Sequence, residues 1–416
     1  MTRRPVLLRA VALVAVGLLA LGACSSKSAK KKAAKEKLTL KIGVLFTTSG
    51  ESGDLAQAAL GAANLAVADA KKDSVTIEIV QADYAGDPKL VPKALASLKG
   101  KTDAIVVATD DTAVLPALAS VTDVPVVHTL LAEGLPGDPN VFTIAPSPPL
   151  QAHKIVSYLL EERKYKKIAV ISDTTRFGLD GREAMANAFL NAGVTPTALV
   201  DFTPGGDVHT PAALAAQRGA QALVVWVASP GEASRIVVDV HHGAYPMQLV
   251  LSGNLATATF AKNASAQVTP VAFRDGMLSV GPWAGPWFNL KRIISFYQRF
   301  QTENSAQAPV QAAAFYDAVS LLGKVARQKG SVASADVIAG LESTTDFEGA
   351  GVPITFTATK HDGLDLDDLA MYGYTKSQDS AGGAFFPDVD TGGGFFTIVM
   401  ESLALPQRYR FLTTKV

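Results

Sequence analysis

The chain has 416 residues, of which 48% are hydrophobic and 18% are charged, proportions typical of a globular protein. Lysine plus arginine and aspartate plus glutamate each total 38, so the formal net charge is zero. With this balance, the chain has no overall positive field that would favour nucleic acid as a partner. After an N-terminal leader, about 380 residues remain, which is enough for two domains with separate cores.

The N-terminal segment is typical of a bacterial secretory signal. Arg3 and Arg4 precede the apolar run 11–21, which is too short to span a bilayer. The run ends in Leu-Gly-Ala directly before Cys24, an order that resembles the site at which bacterial lipoproteins are cleaved and lipidated. We expect residues 1–23 to be a signal peptide and Cys24 to anchor the exported protein to the outer face of the cytoplasmic membrane. A free cysteine in an uncleaved segment is the alternative.

Cys24 is the only cysteine in the sequence. If it carries lipid, no thiol is left for a disulfide, a zinc cluster or a cysteine nucleophile. The residues after it are mostly serine, alanine and lysine. We therefore expect residues 24–37 to be a lipidated, flexible tether.

From Leu38 onward, short β-branched runs alternate with alanine-rich stretches of helical spacing. Strands are predicted for "TLKIGVLF", "VTIEIV", "DAIVVA" and "VPVVHT", and helices for 54–71 and 88–98. This order is typical of a parallel sheet with helices on both faces. The same order restarts at Lys166, so the sequence predicts two similar α/β units, with chance similarity as the alternative.

The second unit continues with "ALVVWV" and "QLVLSGN" and then loses its regular alternation. Helices are predicted for 289–302, 310–328 and about 333–341. The glycine-rich and aromatic segment "GGAFFPDVDTGGGFF" gives no predicted structure.

No catalytic or metal-binding motif stands out in the sequence. None of the six histidines lies in an H-E-x-x-H or H-x-E pattern, and neither a G-x-S-x-G elbow nor a phosphate-binding glycine loop is present. We therefore predict that the protein is not an enzyme and needs no metal and no cofactor. A triad of Ser49 with a distant histidine and aspartate is the alternative enzyme hypothesis.

Polar loops follow several predicted strands, at the position where open α/β sheets bind ligands. They read "TTSG", "TDDT", "HTLLAEG" and "SDTTRFG". Free N–H groups at the following helix starts attract acceptor oxygens, whereas Asp110 and Asp111 suit an ammonium group or hydroxyls. These loops favour binding without reaction.

Six stretches follow one another in this order: "KIGVLFTTSGESGDLAQAALGAANLAVADA", "ADYAGDPKLVPKAL", "TDAIVVATDDTAVLPA", "KKIAVISDTTRFGLDG", "FYDAVSLL" and "ITFTATKHDG". Together they resemble the branched-chain amino acid-binding proteins of ABC transporters. That family has the type I periplasmic binding protein fold. The resemblance implies an α/β protein with two Rossmann-like lobes, each with a parallel sheet, joined by a hinge of three crossovers. It implies an N-terminal lobe of residues 38–148 and about 280–370, and a C-terminal lobe of 149–279 and about 371–416.

The resemblance also implies a ligand in the cleft between the lobes, either an amino acid or a related small polar or aromatic solute. An ABC transporter permease would be the partner, and we expect the binding protein to be a monomer. The residues carried onto the cleft loops are Ser49, Asp110, Asp111, Thr112, Leu131, Ala132, Phe177, Trp226, Ser229 and Asn254.

Several of these residues depart from the family's pattern. Asp110 and Asp111 lie where hydroxyl and N–H groups usually meet the ligand carboxylate, which two acids would repel. Phe177 replaces a tyrosine, and Asn254 replaces the acid that pairs with the ligand ammonium. A standard α-amino acid is therefore a less favoured ligand.

Other interpretations stay open at this point. Phe177 and Trp226 are ligand platforms or core aromatics, Asn254 is a contact or a turn residue, and we expect one of the two aspartates to cap a helix. The alternative function is a ligand-sensing surface lipoprotein with the same fold and no transport role.

Overall fold

The computed structural model describes most of the chain between Leu38 and Gly373. The described residues are 38–49, 53–73, 75–109, 111–130, 138–255, 260, 263–264, 277–282, 290–305, 311–373 and 398–399. Cys24 with the predicted signal peptide and tether, Asp110, Leu131, Ala132 and the glycine-rich C-terminal segment lie outside them. The chain divides into two compact units, Met1–Glu36 and Lys37–Val416, of which the first lies wholly outside the described residues.

The first sheet has five parallel strands in the order β2-β1-β3-β4-β5. These strands are β1 (Leu38–Phe46), β2 (Val75–Asp83), β3 (Ala104–Val107), β4 (Val126–His128) and β5 (Val141–Thr143). Their connections include α1 (Gly53–Ala70), α2 (Val91–Leu98) and the short helix α3 (Leu115–Leu118). The strands are aliphatic on both sides because both faces are covered: Ile42 packs into the core on the α1 side, and Leu45 into the core beneath α2.

The second sheet has seven strands in the order β12-β11-β10-β9-β8-β6-β7. Its strands are β6 (Ile168–Asp173), β7 (Ala198–Phe202), β8 (Ala222–Trp226), β9 (Gln248–Leu251), β10 (Met277–Pro282), β11 (Leu369–Gly373) and β12 (Ile398–Val399). The flanking helices are α4 (Pro148–Ser157), α5 (Arg176–Asn191), α6 (His209–Gln217) and α7 (Pro230–His242). The five strands β6 to β10 are parallel, whereas β11 and β12 are antiparallel additions at the edge.

Three helices that follow the second sheet's parallel strands in sequence pack against the first sheet. They are α8 (Leu290–Asn304), α9 (Ala312–Lys329) and α10 (Ser334–Leu341). Phe296 and Phe300 of α8 and Phe315 of α9 join the core on the α1 side. The chain then returns to the second sheet through β11. It thus crosses between the sheets after β5, between β10 and α8, and before β11.

These observations confirm the predicted fold class and the three late helices. We call the first sheet with its helices the first lobe and the second sheet with its helices the second lobe; the predicted residue boundaries of the lobes stay a prediction. Within the described part of the chain, no helix combines the length and apolarity needed to cross a membrane.

Candidate ligand site at the strand ends

Each sheet has one point where its strand order reverses, and polar loops flank both points. In the first sheet, β1 leads to β2 on one side, whereas β3 lies on the other. In the second sheet, β6 is likewise flanked by β7 and β8. Ligands of open α/β sheets bind outside the carboxyl ends of the strands at such reversals, because the two loops diverge there and leave a crevice.

In the first lobe, a buried tyrosine links the loops on either side of β1. Tyr84 follows β2 and is almost fully buried, and its hydroxyl shares a hydrogen bond of 2.8 Å with the Thr109 hydroxyl, which follows β3. The Tyr84 hydroxyl also donates to Asp111 Oδ2 at 3.5 Å, and the Asp111 N–H donates to Thr109 Oγ1 at 3.2 Å. These contacts hold Thr109 and Asp111 at the reversal point.

Asp111 caps the short helical turn that begins at Thr112. Its Oδ1 accepts a hydrogen bond of 2.9 Å from the Ala113 N–H. The prediction that one of the paired aspartates caps a helix is therefore confirmed. Only Oδ1 is used in this cap. Since the carboxylate remains partly exposed, Asp111 still brings a negative charge to the mouth of the first lobe.

The loop after β1 is held by Asp83, at the end of the neighbouring strand. Asp83 accepts hydrogen bonds from the hydroxyl and N–H of Thr48 and from the Ala85 N–H. Although partial burial opposes this, the hydrogen bonds lower the pKa of Asp83, so it stays ionised. The next residue, Ser49, donates its N–H to Thr47 Oγ1, and its side chain is exposed.

In the second lobe, Asp173 bridges the reversal point directly. It is the last residue of β6, and its side chain is fully buried. Its Oδ1 accepts from the Thr175 N–H and hydroxyl, while Oδ2 accepts from the Ala228 N–H at 2.7 Å. One carboxylate therefore holds both loops, since Ala228 follows β8.

Helix caps complete these two loops. Thr175 caps α5 by accepting from the Gly178 N–H at 3.1 Å, and Ser229 caps α7 by accepting from the Glu232 N–H at 3.1 Å. The sequence "SPGE" at 229–232 is typical of such a helix start, with a capping serine and a glutamate three residues later. Because both helices begin at the strand ends, their N-terminal N–H groups lie beside the crevice.

Asn254 ties the loop after β9 to the same place. Its Nδ2 donates to the carbonyl oxygens of Val227 and Ala228 at 3.0 and 3.3 Å, and its Oδ1 accepts from the Ser252 hydroxyl at 2.6 Å. Gln151 of α4 supports this loop by accepting from the Gly253 N–H at 2.9 Å. In this structure the Asn254 amide is thus used to hold loops.

Phe177 and Trp226 lie together, with ring centroids 6.2 Å apart. The Trp226 side chain is 0% exposed and belongs to the core under α4 and α5, whereas Phe177 is partly exposed at the start of α5. Gly181 lies directly against the indole and leaves no room for a Cβ atom. Trp226 is therefore a core aromatic in this structure, and Phe177 is the ring that reaches the surface.

The structure groups the predicted site residues by lobe. Asp111 and Thr112 lie with Thr109 in the first, and Phe177, Ser229 and Asn254 surround the ends of β6, β8 and β9 in the second. Ser49 lies in the loop after β1, outside the Tyr84 hydrogen-bond group. Asp110, Leu131 and Ala132 lie outside the described residues.

Tyr84 and Asp173 were missed by the sequence analysis. Tyr84 lies one residue beyond β2 and Asp173 is the last residue of β6, so the available signal was their place where a strand gives way to a polar loop. The described residues contain no cluster of three or more side chains able to hold a metal ion. The site offers hydroxyls, carboxylates, N–H groups and one ring, which suits ligand binding.

Comparison with known proteins gives a consistent result for the fold. The family model "periplasmic binding protein" matches residues 39–372. The comparison with curated proteins gives no significant match.

Several solved structures share the architecture. A type 1 periplasmic binding protein from Bordetella pertussis Tohama I is 19% identical with a TM-score of 0.72, over 84% of this chain and 100% of that one. A branched-chain amino acid transporter substrate-binding protein from Streptococcus pneumoniae, solved with isoleucine, is 22% identical with a TM-score of 0.67, over 81% and 96%. An ABC transporter solute-binding protein from R. palustris, solved with benzoate, is 16% identical with a TM-score of 0.68, over 84% and 95%. These likenesses show the fold, and because the family model spans most of the sequence, the chain belongs to the periplasmic binding protein family.

Proposed function

We propose that the protein captures a small polar or aromatic solute in the crevice between its lobes and delivers it to an ABC transporter permease. The observation that carries the proposal is the pair of anchored reversal points. Tyr84 fixes the loops of one lobe and Asp173 those of the other, so both ligand-facing walls are preorganised. Family membership places the chain among extracytoplasmic solute-binding proteins.

The composition of the loops favours a ligand other than a standard α-amino acid. Asp111 carries a negative charge in the first lobe, where it would attract an ammonium group or hydroxyls and repel a carboxylate. Asn254 supplies no charge, and its amide is bonded to backbone carbonyls. Phe177 offers a ring face with Trp226 behind it.

The remaining residues are proposed as ligand contacts only because of where they lie in the chain. Ser49, Asp110, Thr112, Leu131, Ala132 and Ser229 belong to the loops that follow strands β1, β3, β4 and β8 or to the turns that these loops enter. Trp226 would act by supporting Phe177. Similar structures hold different classes of small solute, since one was solved with the amino acid isoleucine and another with the aromatic acid benzoate.

Removing the charge of Asp111 is the most direct test of this site. Asp111→Asn keeps an oxygen for the helix cap but removes the charge, and it should weaken binding of the captured solute by about 1–3 kcal/mol. Asp123→Asn removes a charge from an exposed position in the same lobe and serves as the matched control. Isothermal titration measures both; equal affinities in the two variants and the unchanged protein would remove Asp111 from the site.

We also propose that the protein acts as a monomer anchored by lipid on Cys24. Two or more acyl chains hold a protein firmly on a bilayer, whereas one does not. The substitution Cys24→Ser should release the protein from the membrane fraction or leave its signal peptide unprocessed. A cleaved Cys24→Ser protein that still sediments with membranes after a salt wash would contradict lipid anchoring.

A further inference from the structure

The side chain of Gln151 joins the first crossover between the lobes, residues 144–147, to a loop of the candidate site. Gln151 lies near the start of α4 and is 6% exposed. Its Nε2 donates to the carbonyl oxygen of Pro146, a crossover residue, at 2.8 Å. Its Oε1 accepts from the Gly253 N–H at 2.9 Å. One side-chain amide therefore bonds to the hinge at one end and to the loop 252–254, the Asn254 loop, at the other.

The two partners fix the orientation of the Gln151 amide. A backbone carbonyl only accepts and a backbone N–H only donates, so a reversed amide would place oxygen against oxygen and N–H against N–H. The contact thus requires one donor and one acceptor on the same side chain. Ionised glutamate keeps the acceptor and loses the donor, whereas methionine, of similar length, makes neither bond.

The Asn254 loop continues the contact into the second lobe's wall of the candidate site. Asn254 Nδ2 donates to the carbonyl oxygens of Val227 and Ala228, which follow β8. The Ala228 N–H in turn donates to Asp173 at the reversal point. Hydrogen bonds and the short chain segments between them therefore form one continuous series from Pro146 to Asp173.

The Asn254 loop also lies against β10, the strand that leads into the second crossover. The Ser279 hydroxyl donates to the Ser252 carbonyl oxygen at 3.3 Å. The Val280 carbonyl oxygen lies so close to Gly253 that a Cβ atom would not fit there. β10 ends at Pro282, beyond which the chain returns to the first lobe. The loop is therefore packed where two of the three crossovers meet the second lobe.

We propose that Gln151 is a positioning residue that couples the angle between the lobes to the Asn254 loop, so that the hinge and the candidate site change together. Rotation at the first crossover moves the Pro146 carbonyl relative to α4, and Gln151 then either pulls on Gly253 or loses one of its two bonds. The inference rests on the proposed capture of a solute between the lobes. Because coupling is reciprocal, a solute that contacts the Asn254 loop also biases closure.

The first test measures the angle between the lobes in the ligand-free Lys37–Val416 unit, which is compact by itself and lacks Cys24, the only cysteine. Asn64→Cys on α1 and Asn187→Cys on α5 place a spin label at an exposed position of each lobe. Double electron–electron resonance gives the distribution of distances between the labels. Gln151→Met should widen this distribution about twofold, because the crossover loses a bond to the second lobe.

A second readout follows the candidate site itself. Hydrogen exchange of the Ala228 amide should be about threefold faster in Gln151→Met, because the Asn254 loop is less firmly held. Gln151→Glu keeps the acceptor for Gly253 but loses the donor to Pro146. It should leave this exchange slow and still widen the distance distribution. A side chain that only stabilised α4 would not separate the two readouts, and Gln151→Glu decides the hinge contact even if Gln151→Met does not fold.

His153→Ala is the matched control, at an exposed position of the same helix, and should change neither readout. Asn254→Ala interrupts the series at the candidate site and should also widen the distance distribution. Combined with Gln151→Met it should add nothing further, since both substitutions interrupt one series.

The coupling would be overturned by an unchanged distance distribution in both Gln151 variants, or by widths that simply add in the double variant with Asn254→Ala. The same change in His153→Ala would also overturn it. Because no ligand is present, these results are independent of solute capture. A solute screen without a hit would count against capture and would leave the distance measurements valid.

Discussion

Asp173 does more for the candidate site than its place at a strand end suggests. Its buried carboxylate connects the loop after β6 with the Ala228 N–H, which lies 55 positions later in the sequence. The sequence analysis identified the "SDTTRFG" loop because strand ends are readable from aliphatic runs. It did not identify the role of Asp173, because the partner depends on which strands become neighbours in the folded sheet. The same holds for Tyr84 and Thr109.

We predict that Asp173→Ala lowers the free energy of unfolding by about 1–3 kcal/mol, because the Ala228 N–H loses its acceptor. Urea denaturation measures the effect. Asp180→Ala is the control, since Asp180 pairs with the exposed Arg176 on the same helix and should change stability by about 0.5 kcal/mol. Losses of equal size in both variants would show that Asp173 is no special anchor.

Trp226 illustrates a choice that the sequence left open between core and ligand contact. Because the indole is fully buried, Trp226→Ala should lower the free energy of unfolding by about 3–5 kcal/mol. Phe177→Ala, at a partly exposed position, should cost clearly less stability while it weakens solute binding. Urea denaturation and titration separate the two effects. A Trp226→Ala protein of unchanged stability would contradict the core assignment.

At the scale of elements, the regular strands and helices were predictable from the sequence, whereas the strands at the edge of the second sheet were not. The helices α8, α9 and α10 begin and end within a few residues of their predicted ranges, because apolar residues recur at helical spacing. The antiparallel strands β11 and β12 were not predicted, since an edge pairing joins residues far apart in sequence. The segment 347–351, which Asp317 holds by accepting from the N–H groups of Ala350 and Gly351, was missed for the same reason.

Asp317 should make the stability of the first lobe depend on pH. Burial raises the pKa of its carboxyl from 3.8 to about 7, although the N–H groups of Ala350 and Gly351 oppose the rise. Between these values the folded chain keeps a proton that the unfolded chain has released. The free energy of unfolding therefore falls as pH rises through this window, by at most about 1.4 kcal/mol per pH unit from this group.

Asp317→Asn removes this titration, so its stability should decline less between pH 4 and 7 than that of the unchanged protein. Asp362, whose pKa burial raises to about 6, is present in both proteins and cancels in the comparison. Urea denaturation at a series of pH values gives the two slopes. Parallel slopes would contradict the assigned role of Asp317.

At the scale of the whole molecule, two similar α/β lobes present anchored loops at their strand ends, and the chain crosses between the lobes three times. Such a hinge permits closure around a solute whose contacts are complete only when the lobes meet. The two-lobed plan was predictable because the strand–loop–helix order repeats from Lys166. The ligand was not, because its chemistry depends on side chains from loops that meet only in the fold.

The measurement that tests capture of a solute most directly is a thermal unfolding screen of the Lys37–Val416 unit against amino acids, sugars, aromatic acids, purines and polyamines. At a hundredfold excess over its dissociation constant, the true solute should stabilise the fold by about 2.7 kcal/mol. The account predicts such a shift from a small polar or aromatic compound, and a smaller shift from the same compound in Asp111→Asn. A screen in which no compound raises the melting temperature, or in which the stabilising compound is chemically converted, would contradict it.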